Sequence, residues 1–564
     1  MMKEIKQENL RIALAQINLT VGDLKGNSQK IAEYIQKAGQ LGVSIISFPE
    51  LTITGYPPED LLHKPKFISD NLMALKELVA SIGKIIAIIG FVDKEKDNLY
   101  NAAAVIYNGK VYGIYRKMFL PNYGVFDEFR YFKAGKDPII FKIGKISFGV
   151  NICEDIWHSD GPAKIQAKLG ASLIFNINAS PYHMGKIKER ETMVRNHASS
   201  NQVIIAYTNL VGGQDELVFD GQSMAVDTQG KIIACAESFK EDLLVLDLEI
   251  PGSSAGKSKK IITITKNSFL KERELLTKKQ IEPKDIIDEV YQALLLGLHD
   301  YVSKNGFKRV AIGLSGGIDS ALVAALAVDA LGKENVVGVF MPSRYSSCES
   351  ETDATELAKN LGIEFLSVSI EQIYKMYLMV LQPRFANAAK NIAEENIQAR
   401  IRGNVLMALS NKFAWLVLTT GNKSEMSTGY ATLYGDMAGG FAVIKDVPKI
   451  LVYKLAQYRN SLEAVIPNRI LTKEPTAELK PNQKDSDTLP PYEILDQILK
   501  AYIEEDKDLE KIVALGFDKD AVIKVLAMVD KSEYKRRQSP PGIKITPKAF
   551  GRDRRMPITN MYRG

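Results

Sequence analysis

A cysteine followed by two acids is the first pattern in the sequence that suggests chemistry. In "FGVNICEDIW" (148–157), Cys153 directly precedes Glu154 and Asp155. Negative neighbours disfavour a thiolate, and the thiolate is the reactive form of cysteine. Cys153 is therefore either an inert core thiol or a nucleophile whose charge is balanced by a cation from elsewhere in the chain.

Two other charged residues follow predicted strands, as Cys153 does. Glu50 comes after "ISFP" and Lys117 after "VYGIYR", and sites in open α/β sheets gather beyond the carboxyl ends of strands. At an effective dielectric constant of about 20, a carboxylate about 7 Å away costs the thiolate about 2.4 kcal/mol, whereas an ammonium about 4 Å away stabilises it by about 4 kcal/mol. We therefore predict that Lys117 lies against the sulfur and outweighs the neighbouring acids, so that Glu50 serves as proton acceptor.

Three blocks around these residues resemble a known family. The blocks "FPELTITGY", "YRKMFLPNYGVFDEFRYF" and "NICEDIWH" are similar to the catalytic blocks of the nitrilase, or carbon–nitrogen hydrolase, superfamily. The resemblance implies that Glu50 is a general base, that Lys117 stabilises a tetrahedral intermediate and that Cys153 forms a thioester. It also implies that Glu128 is an accessory acid. The glutamine-hydrolysing members of the superfamily further imply three glutamine-binding residues: Tyr123, Ser180 and Lys186.

Alternatives remain open for several of these residues. Tyr123, Ser180 and Lys186 could equally be a packed tyrosine, a turn serine and a surface lysine. A cysteine–histidine pair is a rival mechanism, because His158 lies five residues after Cys153. We prefer the first mechanism because His158 follows a turn at a strand end and the sequence shows no third residue that would orient it.

A second candidate site is a glycine loop without a lysine. "GLSGGIDSALVAAL" (313–326) joins a predicted strand to a predicted helix, where backbone N–H groups and the helix N-terminus favour an anion. A Walker loop would end in Gly-Lys-Ser/Thr, whereas this loop has Asp319-Ser320 and no lysine. The loop is therefore either a phosphate site of another kind or a tight turn that binds no ligand. The stretch resembles the pyrophosphate-binding loop of the N-type ATP pyrophosphatases. That resemblance implies Mg²⁺ binding by Asp319, since Mg²⁺ favours carboxylates together with phosphate oxygens, and ATP binding by the residues of the loop: Gly313, Leu314, Ser315, Gly316, Gly317, Ile318, Asp319 and Ser320.

A nitrilase-type glutaminase ahead of such a loop resembles the glutamine-dependent NAD synthetase family. The blocks "EENIQARIRGNVLMALSN", "LTTGNKSEMSTGYATLYGDMAGGFAVIKDVPK" and "EYKRRQSPPGIKIT" match the pattern of that family. The implied reaction releases ammonia from glutamine at Cys153. The ammonia then amidates ATP-adenylated nicotinic acid adenine dinucleotide (deamido-NAD), giving NAD, AMP, pyrophosphate and glutamate. Because free ammonia is mostly ammonium at neutral pH and would be lost to solvent, an enclosed passage for it is expected. The resemblance also implies a homo-oligomer.

The same resemblance assigns residues in the second half of the chain. Thr420 is expected to contact ATP, and Glu425 to face both Mg²⁺ and deamido-NAD. Asn396 and Lys535 are expected to bind deamido-NAD. Asp436 and Lys449 are expected to line the same pocket, in roles that the sequence leaves open.

The elements that must position these residues form two α/β domains. With 564 residues, the chain is too long for one core, and strand–helix alternation runs through both halves. Asn27 and Ser28 are expected to cap the first helix. We predict a glutaminase domain at 1–250, a linker at 251–284 and a synthetase domain at 285–564. The resemblances imply a nitrilase-like α-β-β-α sandwich for the first domain and a Rossmann-like parallel sheet of the ATP-pyrophosphatase type for the second.

Composition narrows the class of protein further. Three cysteines are too few for a disulfide framework, and neither a secretory signal nor a membrane span is predicted, so we expect a cytoplasmic enzyme of small-molecule substrates. Residues 530–555 contain nine Lys/Arg against three acids. This basic segment could be a solvated tail, a nucleic-acid arm or a cover over a phosphate-bearing small molecule, and we expect no nucleic-acid partner. The rival functions are an amidase with a regulatory nucleotide domain and a non-catalytic nucleotide- or nucleic-acid-binding protein.

Overall fold

The computed structural model describes residues 7–251, 258–267, 276, 285–385, 388–481 and 483–562. They divide into two units. Unit 1 comprises the described residues of 1–214 and 218–284, and unit 2 those of 215–217 and 285–564.

Strands dominate the first half of the chain. They are β1 (Gln7–Gln16), β2 (Ile45–Ser47), β3 (Ile86–Glu95), β4 (Asn98–Tyr107), β5 (Lys110–Arg116), β6 (Ile140–Ile143), β7 (Ile146–Ile152), β8 (Leu173–Asn178), β9 (Ile204–Asn209), β10 (Val211–Gln214), β11 (Leu217–Asp220), β12 (Met224–Val226), β13 (Ile232–Cys235), β14 (Asp242–Pro251) and β15 (Ile261–Thr265). One sheet has the order β14-β1-β2-β3-β4-β5 and another the order β13-β12-β9-β8-β7-β6-β15, while β10 and β11 pair with each other. Both large sheets are mixed, because β1, β2 and β3 run parallel, as do β7, β8 and β9, and antiparallel strands flank them.

Two layers of helix complete unit 1. The helices are α1 (Leu24–Gln40), α2 (Pro65–Ser81), α3 (Pro162–Lys168) and α4 (Lys186–Asn201). One apolar core joins the two large sheets and includes Leu14, Val105 and Phe148. A second core packs α3 and α4 against β8 and β9 through Ala163 and Val194. Each sheet buries one face on the other sheet and one under helices, which confirms the α-β-β-α sandwich.

Two local expectations for unit 1 are wrong. Asn27 and Ser28 were expected to cap the first helix, but α1 begins at Leu24 and its cap is Asp23, whose side chain accepts a hydrogen bond from the Gly26 N–H. Residues 261–265 lie in the predicted linker 251–284 yet form β15, which pairs in parallel with β6. The β-branched sequence IITIT favours an extended strand. Residues 252–257, 268–275 and 277–284 of that segment lie outside the described residues.

Unit 2 is built on a parallel sheet. Its strands are β16 (Val310–Leu314), β17 (Val336–Phe340), β18 (Glu364–Ser367), β19 (Leu416–Thr419) and β20 (Phe441–Ala442), in the order β18-β17-β16-β19-β20. All neighbouring pairs are parallel. The helices are α5 (Ile286–Lys304), α6 (Ile318–Leu331), α7 (Cys348–Leu361), α8 (Glu371–Phe385), α9 (Ile392–Phe413), α10 (Lys423–Thr428), α11 (Lys449–Leu462), α12 (Asn468–Thr472), α13 (Tyr492–Leu499), α14 (Leu509–Val513), α15 (Lys519–Lys531) and α16 (Glu533–Arg536). This arrangement confirms the Rossmann-like sheet.

The basic segment 530–555 is folded into unit 2. Phe550 belongs to an apolar core with α13 and α15. Lys544, Arg536 and Arg554 are buried, and the first two pair with Asp553 and Glu533 at 2.5 and 2.9 Å. The description of this segment as a solvated tail is therefore wrong for these side chains.

Across the part of the chain that the structure describes, no helix combines the length and apolar character that crossing a bilayer requires.

Candidate active sites

Cys153 lies at a sharp turn where β7 ends. It opens a 3₁₀ turn, Cys153–Ile156, and its φ of +43° falls in the left-handed region. A non-glycine residue at such a φ is strained and requires support from its surroundings. The side chain is buried, with 4% of the residue exposed, so the strand-end placement predicted for the thiol is observed.

Lys117 forms buried ion pairs with two carboxylates. Its Nζ donates to Glu50 Oε1 at 2.7 Å and to Glu128 Oε1 at 2.8 Å, and its side chain is 0% exposed. Glu50 is also fixed by Asn101, which donates from Nδ2 at 2.7 Å, and by the Ala179 N–H at 3.1 Å. The structure therefore brings the predicted base, cation and accessory acid into one buried cluster.

Asp155 ties the nucleophile turn to the chain that carries Lys117. Its Oδ1 accepts from the N–H groups of Met118 and Phe119, and its Oδ2 from the Ile152 N–H and the Tyr115 hydroxyl, all at 2.8–3.0 Å. From the sequence, Asp155 is expected only to oppose the thiolate. Its positioning role has no signal in the sequence, because its partners lie more than thirty residues away except for Ile152.

The electrostatic prediction for Cys153 is wrong in one respect. Burial, with Glu50 as the next cause, raises the pKa of the thiol well above its usual value. Lys117 lowers that pKa, and its effect is larger than that of Glu154, but it does not reverse the balance. The sulfur therefore rests as a thiol, and a base must remove its proton as it reacts.

The charges on Lys117 and Glu128 follow from burial and from the distance between them. Burial opposes the charge on Lys117, but Glu128 and Glu50 together outweigh it and hold the pKa of the ammonium well above its usual value. Burial raises the pKa of Glu128 to about 7, although Lys117 opposes the shift. Lys117 is thus a permanent cation, whereas Glu128 can gain a proton near neutral pH.

Polar and aromatic side chains contact Glu154, the residue that follows Cys153 in the turn. The Tyr123 hydroxyl donates to Glu154 Oε2 at 2.9 Å, and Tyr123 itself is exposed. His158 Nε2 lies 3.6 Å from Glu154 Oε1, and its ring stacks on Phe119 with centroids 3.9 Å apart. The rival cysteine–histidine pair thus gains no support, since the contacts of His158 are with Glu154 and Phe119.

Lys186 and Ser180 each contact or adjoin a residue that is bonded to the first site. Lys186 Nζ is 4.1 Å from the ring centre of Trp157, and the Trp157 N–H donates to the Glu154 carbonyl at 2.9 Å. Ser180 follows β8, is buried, and donates its N–H to Asn209 Oδ1 at 3.0 Å. Its neighbour Ala179 is the residue whose N–H contacts Glu50.

The glycine loop joins β16 to α6 as predicted. The Ser315 hydroxyl accepts from the Gly317 N–H at 3.2 Å and lies 3.1 Å from Ser320 Oγ. Gly316 has a φ of +76°, and a Cβ there would lie 2.6 Å from the Ser350 carbonyl oxygen. Only glycine fits this position, so the turn keeps its shape at the start of α6.

Asp319 and Glu425 converge on Lys449. Lys449 Nζ lies 2.5 Å from Asp319 Oδ2 and 3.4 Å from Glu425 Oε1, and Asn422 Nδ2 donates to Asp319 Oδ1 at 2.9 Å. Burial, with Asp319 as the next cause, raises the pKa of Glu425 to about 8. The cluster therefore favours added positive charge, and it gives Lys449, whose role the sequence left open, a direct contact with both acids.

The remaining predicted ligands have other partners in unit 2. The Thr432 hydroxyl donates to Asn396 Oδ1 at 2.8 Å, and the Thr432 N–H donates to Asp436 Oδ1 at the same distance. Lys535 Nζ donates to the Gly429 and Ala431 carbonyls at 2.7 and 2.9 Å. Thr420 directly follows β19 and is partly buried. Among the residues that the structure describes, no three His, Cys, Asp or Glu side chains form a metal-binding group.

Comparison with known families and proteins identifies both domains. A family model described as NAD synthase matches residues 290–539, and one described as carbon–nitrogen hydrolase matches residues 11–256. The chain is 50% identical to the glutamine-dependent NAD(+) synthetase of Aquifex aeolicus, over 98% of this chain and 100% of that protein. It is also 50% identical to the enzyme of the same name from Thermotoga maritima, over 99% of each chain.

Two solved structures resemble the whole chain. The glutamine-dependent NAD+ synthetase of Acinetobacter baumannii, in complex with ADP, has a TM-score of 0.75 at 43% identity and covers 98% of this chain and 99% of its own. A glutamine-dependent NAD(+) synthetase from Cytophaga hutchinsonii has a TM-score of 0.82 at 24% identity and covers 98% of each chain. The second likeness concerns the fold alone.

Proposed function

The chain belongs to the glutamine-dependent NAD(+) synthetase family, and on this premise we propose which of its residues perform each step. The family assignment confirms the predicted function, a ligase that amidates with nitrogen from glutamine. We assign the glutaminase to residues 1–250 and the synthetase to residues 285–564. The observation that carries the assignment of the first site is the buried contact of Lys117 with Glu50 and Glu128 beside Cys153.

Glutamine hydrolysis begins with attack by Cys153 on the side-chain amide carbon. Glu50 removes the thiol proton as the C–S bond forms, because the raised pKa of Cys153 leaves too little free thiolate. Lys117 stabilises the oxyanion of the tetrahedral intermediate through its fixed charge. The proton held by Glu50 then passes to the leaving nitrogen, so ammonia departs and a thioester remains.

Water completes the cycle at the same residues. Glu50, ionised again, takes a proton from the attacking water, and the C–S bond breaks to return the sulfur to Cys153. The proton on Glu50 passes to the leaving sulfur, and glutamate dissociates. Asn101 and the Ala179 N–H hold Glu50 in one orientation through both half-reactions. Glu128, with a pKa of about 7, sets the net charge around Lys117.

The glutamine head group needs partners of both charges. We assign its α-ammonium to Glu154, which the Tyr123 hydroxyl orients, and its α-carboxylate to Lys186 and Ser180. Glu154 was missing from the sequence-based set. Its position next to the nucleophile was visible, but its contact with Tyr123 depends on two segments meeting in the fold.

The second site activates a carboxylate for attack by ammonia. The nicotinate carboxylate of deamido-NAD attacks the α-phosphorus of ATP, pyrophosphate leaves, and ammonia then displaces AMP from the acyl-adenylate. We assign ATP to the loop 313–320 and Thr420, and deamido-NAD to Asn396, Glu425 and Lys535. The Acinetobacter baumannii relative was solved in complex with ADP, which supports nucleotide binding by this chain. Asp436 shares the Thr432 contact of Asn396.

The acids around Lys449 suit Mg²⁺. Asp319 and Glu425 present two carboxylates to one positively charged point, and Mg²⁺ prefers one or two carboxylates completed by phosphate oxygens and water. These two residues would hold the ion. When bound, Mg²⁺ would neutralise the charge that develops on the ATP phosphates.

A homo-oligomer is the assembly that we propose. Ile373, Met376, Tyr377 and Val380 of α8 are all exposed and follow the spacing of one helix face. An apolar stripe of this kind marks an interaction surface. The free cysteines Cys153, Cys235 and Cys348 suit a reducing compartment, so we place the enzyme in the cytoplasm.

Replacing the nucleophile tests the division of labour. Cys153→Ala should abolish glutamine-driven NAD formation and leave ammonium-driven NAD formation within about twofold of wild type. Cys235→Ala, a second buried thiol of unit 1, is the matched control and should retain both. The proposal would be contradicted if Cys153→Ala, but not Cys235→Ala, lost the ammonium-driven reaction. It would also be contradicted if the wild type hydrolysed glutamine but never formed NAD, a result that would favour the regulated amidase.

A further inference from the structure

Arg402 is a partly buried arginine whose charge has no acidic partner. It lies on α9, and its hydrogen bonds go to Met341 and Ser343, while no carboxylate of the described chain lies within 4.0 Å of its guanidinium nitrogens. Other buried arginines differ, since Arg190, Arg459 and Arg536 each contact an acid at 2.6–2.9 Å. A charge withdrawn from water without a counter-ion is costly, so a ligand anion is the natural complement of Arg402.

The guanidinium is held at the carboxyl end of the parallel strands, where the glycine loop begins. Its Nε donates to the Met341 carbonyl at 3.0 Å, and its Nη2 to Ser343 Oγ at 3.4 Å. Met341 directly follows β17, and the pairing of Leu314 with Phe340 places it level with Ser315. Since a guanidinium carries five N–H donors in a rigid fork, these two bonds leave further donors for an anion.

The acid with the largest influence on Arg402 is already engaged. Burial lowers the pKa of Arg402 to about 10, and Glu478 opposes the shift. The Glu478 carboxylate, however, accepts from Ser347 and Ser350 and pairs with Lys473 at 3.1 Å. Arg402 therefore stays protonated at neutral pH while its charge remains uncompensated by the chain.

We propose that Arg402 binds phosphate oxygens of ATP and continues to bind the pyrophosphate after the bond between the α- and β-phosphates breaks. Guanidinium groups match phosphate oxygens in geometry and bind them through charge-assisted, paired hydrogen bonds. Ligands of such sheets collect at the carboxyl ends of the strands, and Arg402 is bonded there to Met341, which the strand register places level with Ser315. The inference rests on the proposed role of the loop 313–320 and adds a residue from α9 to it.

Inorganic pyrophosphate is the probe for this site. Titration calorimetry with Mg²⁺ present should show binding to the full-length wild type, and Arg402→Gln should weaken it about 10- to 100-fold, the effect of lost charge-assisted hydrogen bonds. The KM for ATP should rise in parallel, while the KM for glutamine stays within twofold. Lys412→Gln removes the same charge from an exposed position of α9 and should match wild type.

The outcomes separate a ligand role from a structural one. Arg402→Lys keeps the charge without the fork and should fall between wild type and Arg402→Gln. The inference would be overturned if Arg402→Lys or folded Arg402→Gln bound pyrophosphate as tightly as Lys412→Gln does. This holds even if the thermal stability of either variant dropped. Wild type that fails to bind pyrophosphate or ATP would instead refute the proposed role of the loop.

Discussion

Replacing Lys117 by methionine removes the cation from a cluster of two buried carboxylates. Lys117 Nζ lies 2.7 Å from Glu50 and 2.8 Å from Glu128, with side-chain exposures of 0, 0 and 6%. At an effective dielectric constant of about 20, each contact is worth about 6 kcal/mol of Coulomb attraction. Burying the ammonium offsets much of this gain, so the net destabilisation from losing one buried partner is about 3–5 kcal/mol.

The loss of folding stability in Lys117→Met should grow as the pH rises. Without Lys117, the folded-state pKa of Glu128 rises from about 7 to a higher value, while its unfolded value stays near 4.5. The folded variant therefore takes up a proton as the pH falls, and its stability recovers. We expect the deficit of Lys117→Met to be larger at pH 8.5 than at pH 6, and Lys117→Met/Glu128→Gln to recover part of it.

Activity should fall for a different reason than stability. Without the fixed charge, neither the thiolate nor the oxyanion is stabilised, so glutamine hydrolysis should drop by about a thousandfold or more, in the double variant as well. Ammonium-driven NAD formation should persist. Chemical unfolding followed by near-UV circular dichroism, together with an assay for released glutamate, measures both effects.

The matched control is Lys145→Met, which removes an ammonium that is 71% exposed and 3.8 Å from Glu8. Surface pairs of this kind contribute about 0–1 kcal/mol. If Lys117→Met were no less stable than Lys145→Met, or if it still hydrolysed glutamine at a tenth of the wild-type rate, the account of the buried cluster would be refuted.

Three more results are expected. Glu50→Gln should be alkylated faster by iodoacetamide at Cys153 near pH 8, because a cause of the raised thiol pKa is gone, yet it should hydrolyse glutamine at least a hundredfold more slowly; parallel losses would contradict this. Glu154→Gln should raise the KM for glutamine about tenfold with little change in kcat, and should not affect hydrolysis of an analogue that lacks the α-amino group. Met376→Glu/Val380→Glu on α8 should lower the sedimenting mass, whereas Ile523→Glu, exposed on α15, should leave it unchanged.

The local pattern of the sequence was sufficient to predict where the reactive residues lie along the chain. Alternating apolar residues mark β7 and a short apolar run marks β16, and Cys153 and Ser315 directly follow these strands. Strand ends and glycine turns depend on a few neighbouring residues, so they are readable without the fold. The cap of α1 and strand β15 were missed because Asp23 and Asn27 are equally good caps by type, and because β15 forms only against β6.

The charge state and orientation of those residues could not be predicted in the same way. Asp155 holds the nucleophile turn against residues 115–119, and Glu50, distant in sequence, opposes the thiolate that Lys117 favours. Lys449 meets Asp319 from 130 residues away. The sequence by itself determined the types of reactive group and their places at strand ends, because those follow from local backbone propensity. Only the tertiary structure decided which charges face one another and how deeply they are buried, because electrostatic energy depends on distance and solvent access rather than on order along the chain.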